Sequence, residues 1–167
     1  MIGVPDNVSA SWTTFTRRDL RTLTDVLRAV AVSGDAGRHG HGVEVVIESP
    51  PLRVWERVFR LRQRRRERDS ARIAVTNADG HCGYPVHVRL DTTHGAVAAK
   101  HIARRPGWAT SNTAGQAILM MKARAAATAD YDALELATGT VDALADLHWR
   151  EPMRGWRFRV DRMVIRT

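Results

Sequence analysis

Val43-Glu44-Val45-Val46-Ile47-Glu48-Ser49-Pro50-Pro51 is the stretch on which the reading of the fold turns. Val43, Val45 and Ile47 alternate with Glu44, Val46 and Glu48, the period-two pattern of a β-strand with one apolar face, and the two prolines stop it. Pro51 suits the first turn of a helix, and the run from Leu52 to about Asp69 puts Leu52, Trp55 and Phe59 on one side with Val54, Val58 and Leu61 flanking. Residues 72–76 then return to strand composition. A strand, a helix and a strand in that order make a crossover, which predicts that the two strands run parallel.

Downstream, Asp79-Gly80 is a favoured hairpin dipeptide, and Val86, Val88 and Leu90 alternate with His87 and Arg89 as a third strand, antiparallel to the second. A short helix is expected over residues 95–104, ended by Pro106 and Gly107. Thr113 and Gln116 have capping-box spacing, and Ala117, Met121 and Arg124 or Ala125 extend a helix to about Thr128. Leu134, Ala137, Val141, Leu144 and His148 mark another helix, interrupted at Gly139. Trp156, Phe158 and Val160 alternate with Arg157, Arg159 and Asp161 as a last strand running through Ile165.

Upstream, residues 1–15 carry no period and read as an extended segment. Thr16 and Asp19 have capping-box spacing for a helix carrying Leu20, Leu23, Leu27 and Val30, ended at Gly34. Four glycines with His39 and His41 make residues 34–42 a loop. The expected fold is α+β: a mixed four-stranded sheet with helices mainly on one face, resembling the ferredoxin-like βαββαβ arrangement with an extra N-terminal helix. Residues 16–167 read as a single domain.

The 167 residues are 44% hydrophobic and 26% charged, the range of a globular chain able to bury a core unaided. No apolar run reaches the roughly 20 residues needed to span a bilayer, and no secretory signal opens the chain, so the expectation is a cytoplasmic protein with no membrane role. The lone Cys82 excludes an internal disulfide and a multi-thiol zinc site.

Charge is the most informative feature. Lys and Arg number 26 against 18 Asp and Glu, a net of +8, and all but two of the cations are arginine. Arg53, Arg57, Arg60, Arg64 and Arg68 recur every three or four residues and form one helical stripe, widened by Arg62, Arg65 and Arg66. A second basic block contains Arg150, Arg154, Arg157, Arg159, Arg162 and Arg166. Between them, residues 125–149 carry Asp130, Asp132, Glu135, Asp142 and Asp146 and no Lys or Arg. Guanidinium groups bind phosphate with paired hydrogen bonds, and counterion release drives association with DNA or RNA. The same stripe also suits a solvated face, or contact with an acidic neighbour.

Aromatic candidates for base stacking are Trp55, Tyr84, Trp108, Trp149, Trp156 and Phe158. Tyr84 opens the third strand, where an RNA-recognition sheet carries such a ring, but the first strand has none. His81, His87, His94 and His101, with Asp91 and Cys82, are the parts from which a metal site could be built, though their spacing matches no ligand pattern. Replication-type nicking enzymes place two histidines around one apolar residue on a strand; here the triplet is His87, Val88 and Arg89, and the second histidine is missing. Phosphate-binding glycine loops, nucleophile elbows and zinc helices are absent.

The leading expectation is a nucleic-acid-binding protein, with no cofactor, that contacts phosphates through Arg53, Arg57, Arg60, Arg64, Arg65, Arg68, Arg157 and Arg159. One alternative is an assembly subunit, homo-oligomeric or joined to a protein partner as in a phage-like particle, with the Leu134, Val141, Leu144 and His148 stripe at the contact. Another is a histidine-dependent metal nuclease. Nothing in the sequence establishes an enzyme.

Overall fold

The alternation at residues 43–48 does form a strand, flanked on both sides by others. The computed structural model describes residues 11–32, 41–51, 68–75, 86–92, 95–112, 116–121, 132–148 and 154–164. The elements run β1 (Thr13–Phe15), α1 (Arg21–Val32), β2 (His41–Glu48), β3 (Ser70–Val75), β4 (Val86–Asp91), α2 (Gly95–Ile102), β5 (Trp108–Thr110), β6 (Gln116–Met121), α3 (Ala133–Ala145) and β7 (Trp156–Val164). The strands make one sheet of seven in the order β1-β7-β2-β3-β4-β6-β5, and every neighbouring pair is antiparallel.

The α+β character stands, but the mixed four-stranded, ferredoxin-like sheet does not. β2 and β3 pair antiparallel with Glu48 opposite Ser70, so the chain leaves β2 and returns to β3 at the same end of the sheet. That geometry removes the parallel crossover on which the expectation rested. The expected helix over Leu52–Asp69 falls on residues outside those described, except that Arg68 and Asp69 are not helical. The second correction is β6: the helix expected from Thr113 is a strand over Gln116–Met121, paired with β4 on one side and β5 on the other. Three-residue strands β1 and β5 add the margins.

One face of the sheet is apolar. Val45, Ile47, Ala71, Ile73, Val88, Leu90, Ala117, Trp156 and Phe158 share it through the register, and all are buried. Leu23 and Leu27 of α1, Ala99 and Ile102 of α2 and Leu136, Ala137, Val141 and Leu144 of α3 complete the same cluster. The helices form where their amphipathic spacing meets this face. Asp19, rather than Thr16, serves the start of α1, its carboxylate accepting the Arg21 backbone N–H at 3.2 Å. Asp132 caps α3 by accepting from the N–H groups of Leu134 and Glu135 at 3.0 and 3.1 Å. Gly139 does not interrupt that helix.

Candidate functional site

On the other face of the sheet the alternation puts Glu44, Val46 and Glu48 of β2 beside Ser70 and Arg72 of β3, Arg89 and Asp91 of β4, and Arg157, Arg159 and Asp161 of β7. Sequence alternation alone shows which residues point this way. Register decides which charges meet. Arg157 stands opposite Glu48, and both its Nε and its Nη2 lie 2.7 Å from Glu48 Oε2. Glu44 stands opposite Asp161, a repulsive pair if left alone. It is relieved from both sides: Arg72 donates to Glu44 at 3.0 Å, and Arg159 reaches Asp161 at 3.0 Å.

Asp91 anchors the far side of this network. Its side chain is only 5% exposed, it accepts from Gln116 Nε2 at 2.5 Å, and Arg72 and Arg89 bring Nε to 3.8 and 4.0 Å of its other oxygen. Val46, although on the charged side, is buried, flanked in register by Arg72 and Arg159, whose aliphatic stems are suited to cover it. Trp12, just before β1, lies over two guanidinium groups, with Arg157 Cζ 4.1 Å and Arg159 Cζ 4.7 Å from its ring centre.

These contacts place the residues expected to bind phosphate. Arg53, Arg57, Arg60, Arg64 and Arg65 lie outside the described residues. Arg68 donates Nη1 to the backbone oxygens of Ser49 and Gly155, both at 3.0 Å, and its Nε is 3.9 Å from Glu48. It therefore fastens the ends of β2, β3 and β7 together. Arg157 and Arg159 are ion-paired and covered by Trp12. On this face of the C-terminal strand Arg157 and Arg159 are thus each answered by a carboxylate within the fold.

The aromatic and histidine candidates divide in the same way. Trp108, Trp156 and Phe158 are buried in the core, with Phe15 6.0 Å from Trp156 and 5.9 Å from Phe158 between ring centres, so none presents a face for a base. Trp55, Tyr84 and Trp149 lie outside the described residues, as do Cys82, His81 and His94. His87 lies on β4, and His101 is exposed near the end of α2 beside exposed Lys100. Among the described residues no three His, Cys, Asp or Glu side chains gather as metal ligands. Asp91, weighed as a carboxylate ligand, is instead held by Gln116 and two arginines. Val141 and Leu144, expected at a subunit contact, are buried in the chain's own core.

Trp12 is the residue that sequence reasoning missed. Its only signal was position: one step ahead of a strand whose partner alternates Arg157 and Arg159 on that face. Beside α1, Arg21 makes a two-point contact with Asp19, Nε to Oδ1 at 2.9 Å and Nη2 to Oδ2 at 2.7 Å, which holds the Asp19 carboxyl at a pKa of about 2 against an ordinary 3.8. No described helix is long and apolar enough to cross a membrane. Comparison of the chain with protein-family models, with curated proteins and with solved structures finds no match in any of the three.

Proposed function

We propose that the protein binds nucleic acid through backbone phosphates, and that residues 52–67, rather than the C-terminal strand, supply the contacts. The observation that carries this reading is the commitment of Arg68, Arg157 and Arg159 to partners within the fold. With those cations occupied, the charge surplus lies where the sequence concentrates it: residues 52–67 hold seven arginines against two glutamates. So dense a cluster repels itself unless an anion neutralises it, and a phosphate backbone supplies anions at a matching density. The sheet then acts as the frame that fixes both ends of the binding segment. Reading of base sequence is not part of the proposal.

Fluorescence anisotropy with labelled oligonucleotides of unrelated sequence tests it. Affinity is expected to fall about a thousandfold between roughly 50 and 200 mM salt if about six phosphates are neutralised. Replacing Arg57, Arg60 and Arg64 together by Glu abolishes binding, whereas Arg157→Gln and Arg159→Gln leave it within about twofold. Loss of affinity in the last two variants, with binding retained in the first, overturns the assignment. No affinity for any oligonucleotide at low salt overturns the function.

A further inference from the structure

Thr24 and Asp25 lie three and four residues after Arg21, and Arg28 seven after it, on one stripe of α1, and Leu134 and Thr138 lie four apart on α3. Between the two stripes runs a groove of about 820 Å³, which the turn before α1 also lines with Arg17 and Arg18. That volume is in the range of small-ligand sites.

The charges around it do not close. Arg17 is held by Asp142 at 2.9 Å, Arg21 by Asp19 at 2.7 Å, and Arg28 more loosely by Asp25 at 3.5 Å. Arg18 is exposed and has no ion pair or hydrogen bond among the described residues. The second feature is apolar. Leu134 is 51% exposed, while the other leucines of α3 are buried.

From the arginine-lined groove with its unpaired Arg18 and its exposed Leu134 we infer that the α1–α3 groove binds a small organic oxyanion, its head group on Arg18 and its apolar body against Leu134. A phosphate monoester and a carboxylate share the chemistry required. Among the described residues no aromatic ring lines the groove, so a nucleobase finds no stacking partner among them. The site stands independently of the nucleic-acid reading, because it uses none of residues 52–67.

The test is a two-dimensional NMR titration of the full chain with phenyl phosphate, benzoate and inorganic phosphate. Saturable shifts are expected at the amides of residues 18–28 and 134–138 with phenyl phosphate or benzoate, and the tighter of the two names the head group. Arg18→Gln lowers that affinity by about tenfold. Leu134→Ser weakens the aromatic probes several-fold and leaves inorganic phosphate unchanged. Arg154→Gln removes another exposed, unpaired arginine and leaves the affinity intact. Equal losses in Arg154→Gln and Arg18→Gln, unchanged affinity in Arg18→Gln, or no saturable shift with any probe overturns the site.

Discussion

Arg72 and Arg89 stand directly opposite each other on β3 and β4, and both bring Nε within 4.0 Å of the same oxygen of Asp91. Two like charges in a cross-strand pair repel, so the carboxylate is what makes this register tolerable. Both Nε atoms are buried without a hydrogen bond, and although Arg72 also donates Nη1 to Glu44, Asp91 is the carboxylate that the two arginines share. Asp91→Asn keeps the shape and removes the charge, and is expected to destabilise the fold by about 2 kcal/mol. A urea midpoint equal to that of the parent chain would show that the arginines are satisfied elsewhere.

Arg157 and Glu48 form a partly exposed pair, and the stabilisation expected from it is correspondingly small. A double-mutant cycle with Arg157→Gln and Glu48→Gln should return a coupling of about 0.5–1 kcal/mol. Trp12→Ala should cost a further ~0.5–1 kcal/mol through the lost contact with both guanidiniums. Zero coupling in the cycle would remove the ion pair from the account of β7.

The low pKa of Asp19 predicts a pH dependence whose direction follows from linkage. Its folded value, about 2, lies below the unfolded 3.8, so the stabilisation is present in full above about pH 4 and is lost as pH falls toward 2. Carboxyl-carbon NMR titration reads this directly. In Arg21→Gln the Asp19 titration should move up toward 3.8; an unmoved midpoint would mean that Arg21 is not the cause.

Two glycines should answer substitution in opposite ways. At Gly139, inside α3, an added Cβ meets nothing within 4 Å, so Gly139→Ala should stabilise by about 0.5–1 kcal/mol through helix propensity. Gly155 has φ +90° and an added Cβ would sit 3.3 Å from Pro50 Cβ, so Gly155→Ala should destabilise by about 1 kcal/mol or more. Thermal denaturation of the pair checks both signs.

Trp156 is fully buried against Phe15, where the margin strand β1 meets β7. Trp156→Ala is expected to cost about 3–5 kcal/mol, enough to unfold a chain of ordinary stability. Trp156→Phe should keep the fold and lose less than half as much, by chemical denaturation.

Residues 43–48, 86–90 and 156–161 were legible as strands because each alternates apolar and polar residues over several steps, and residues 72–76 were legible from strand composition. The helices at Arg21–Val32 and Ala133–Ala145 were legible from their three-and-four spacing, and Gly95–Ile102 from the stop at Pro106 and Gly107. Gln116–Met121 was not, because the five-residue apolar run after Gln116, of Ala, Ile, Leu and Met, suits a buried strand and a helix equally, and pairing on both sides decides it. Strands of three residues, such as Thr13–Phe15, are too short to show a period. The direction of β3 was hidden for a different reason: periodicity describes segments, while the antiparallel return depends on where the chain comes back. The network on the charged face was hidden likewise. Arg157 and Glu48 are 109 residues apart, and nothing local in either sequence announces their meeting.

Because Glu48 and Ser70 are cross-strand partners, the chain's exit from β2 and its re-emergence in β3 are separated by only about 5 Å. A short link from Pro51 to Arg68 could therefore stand in for residues 52–67 without rethreading the sheet. Arg68, tied to Ser49 and Gly155, would still rivet the junction. The threading of the sheet is thus independent of how many residues run between these two strand ends.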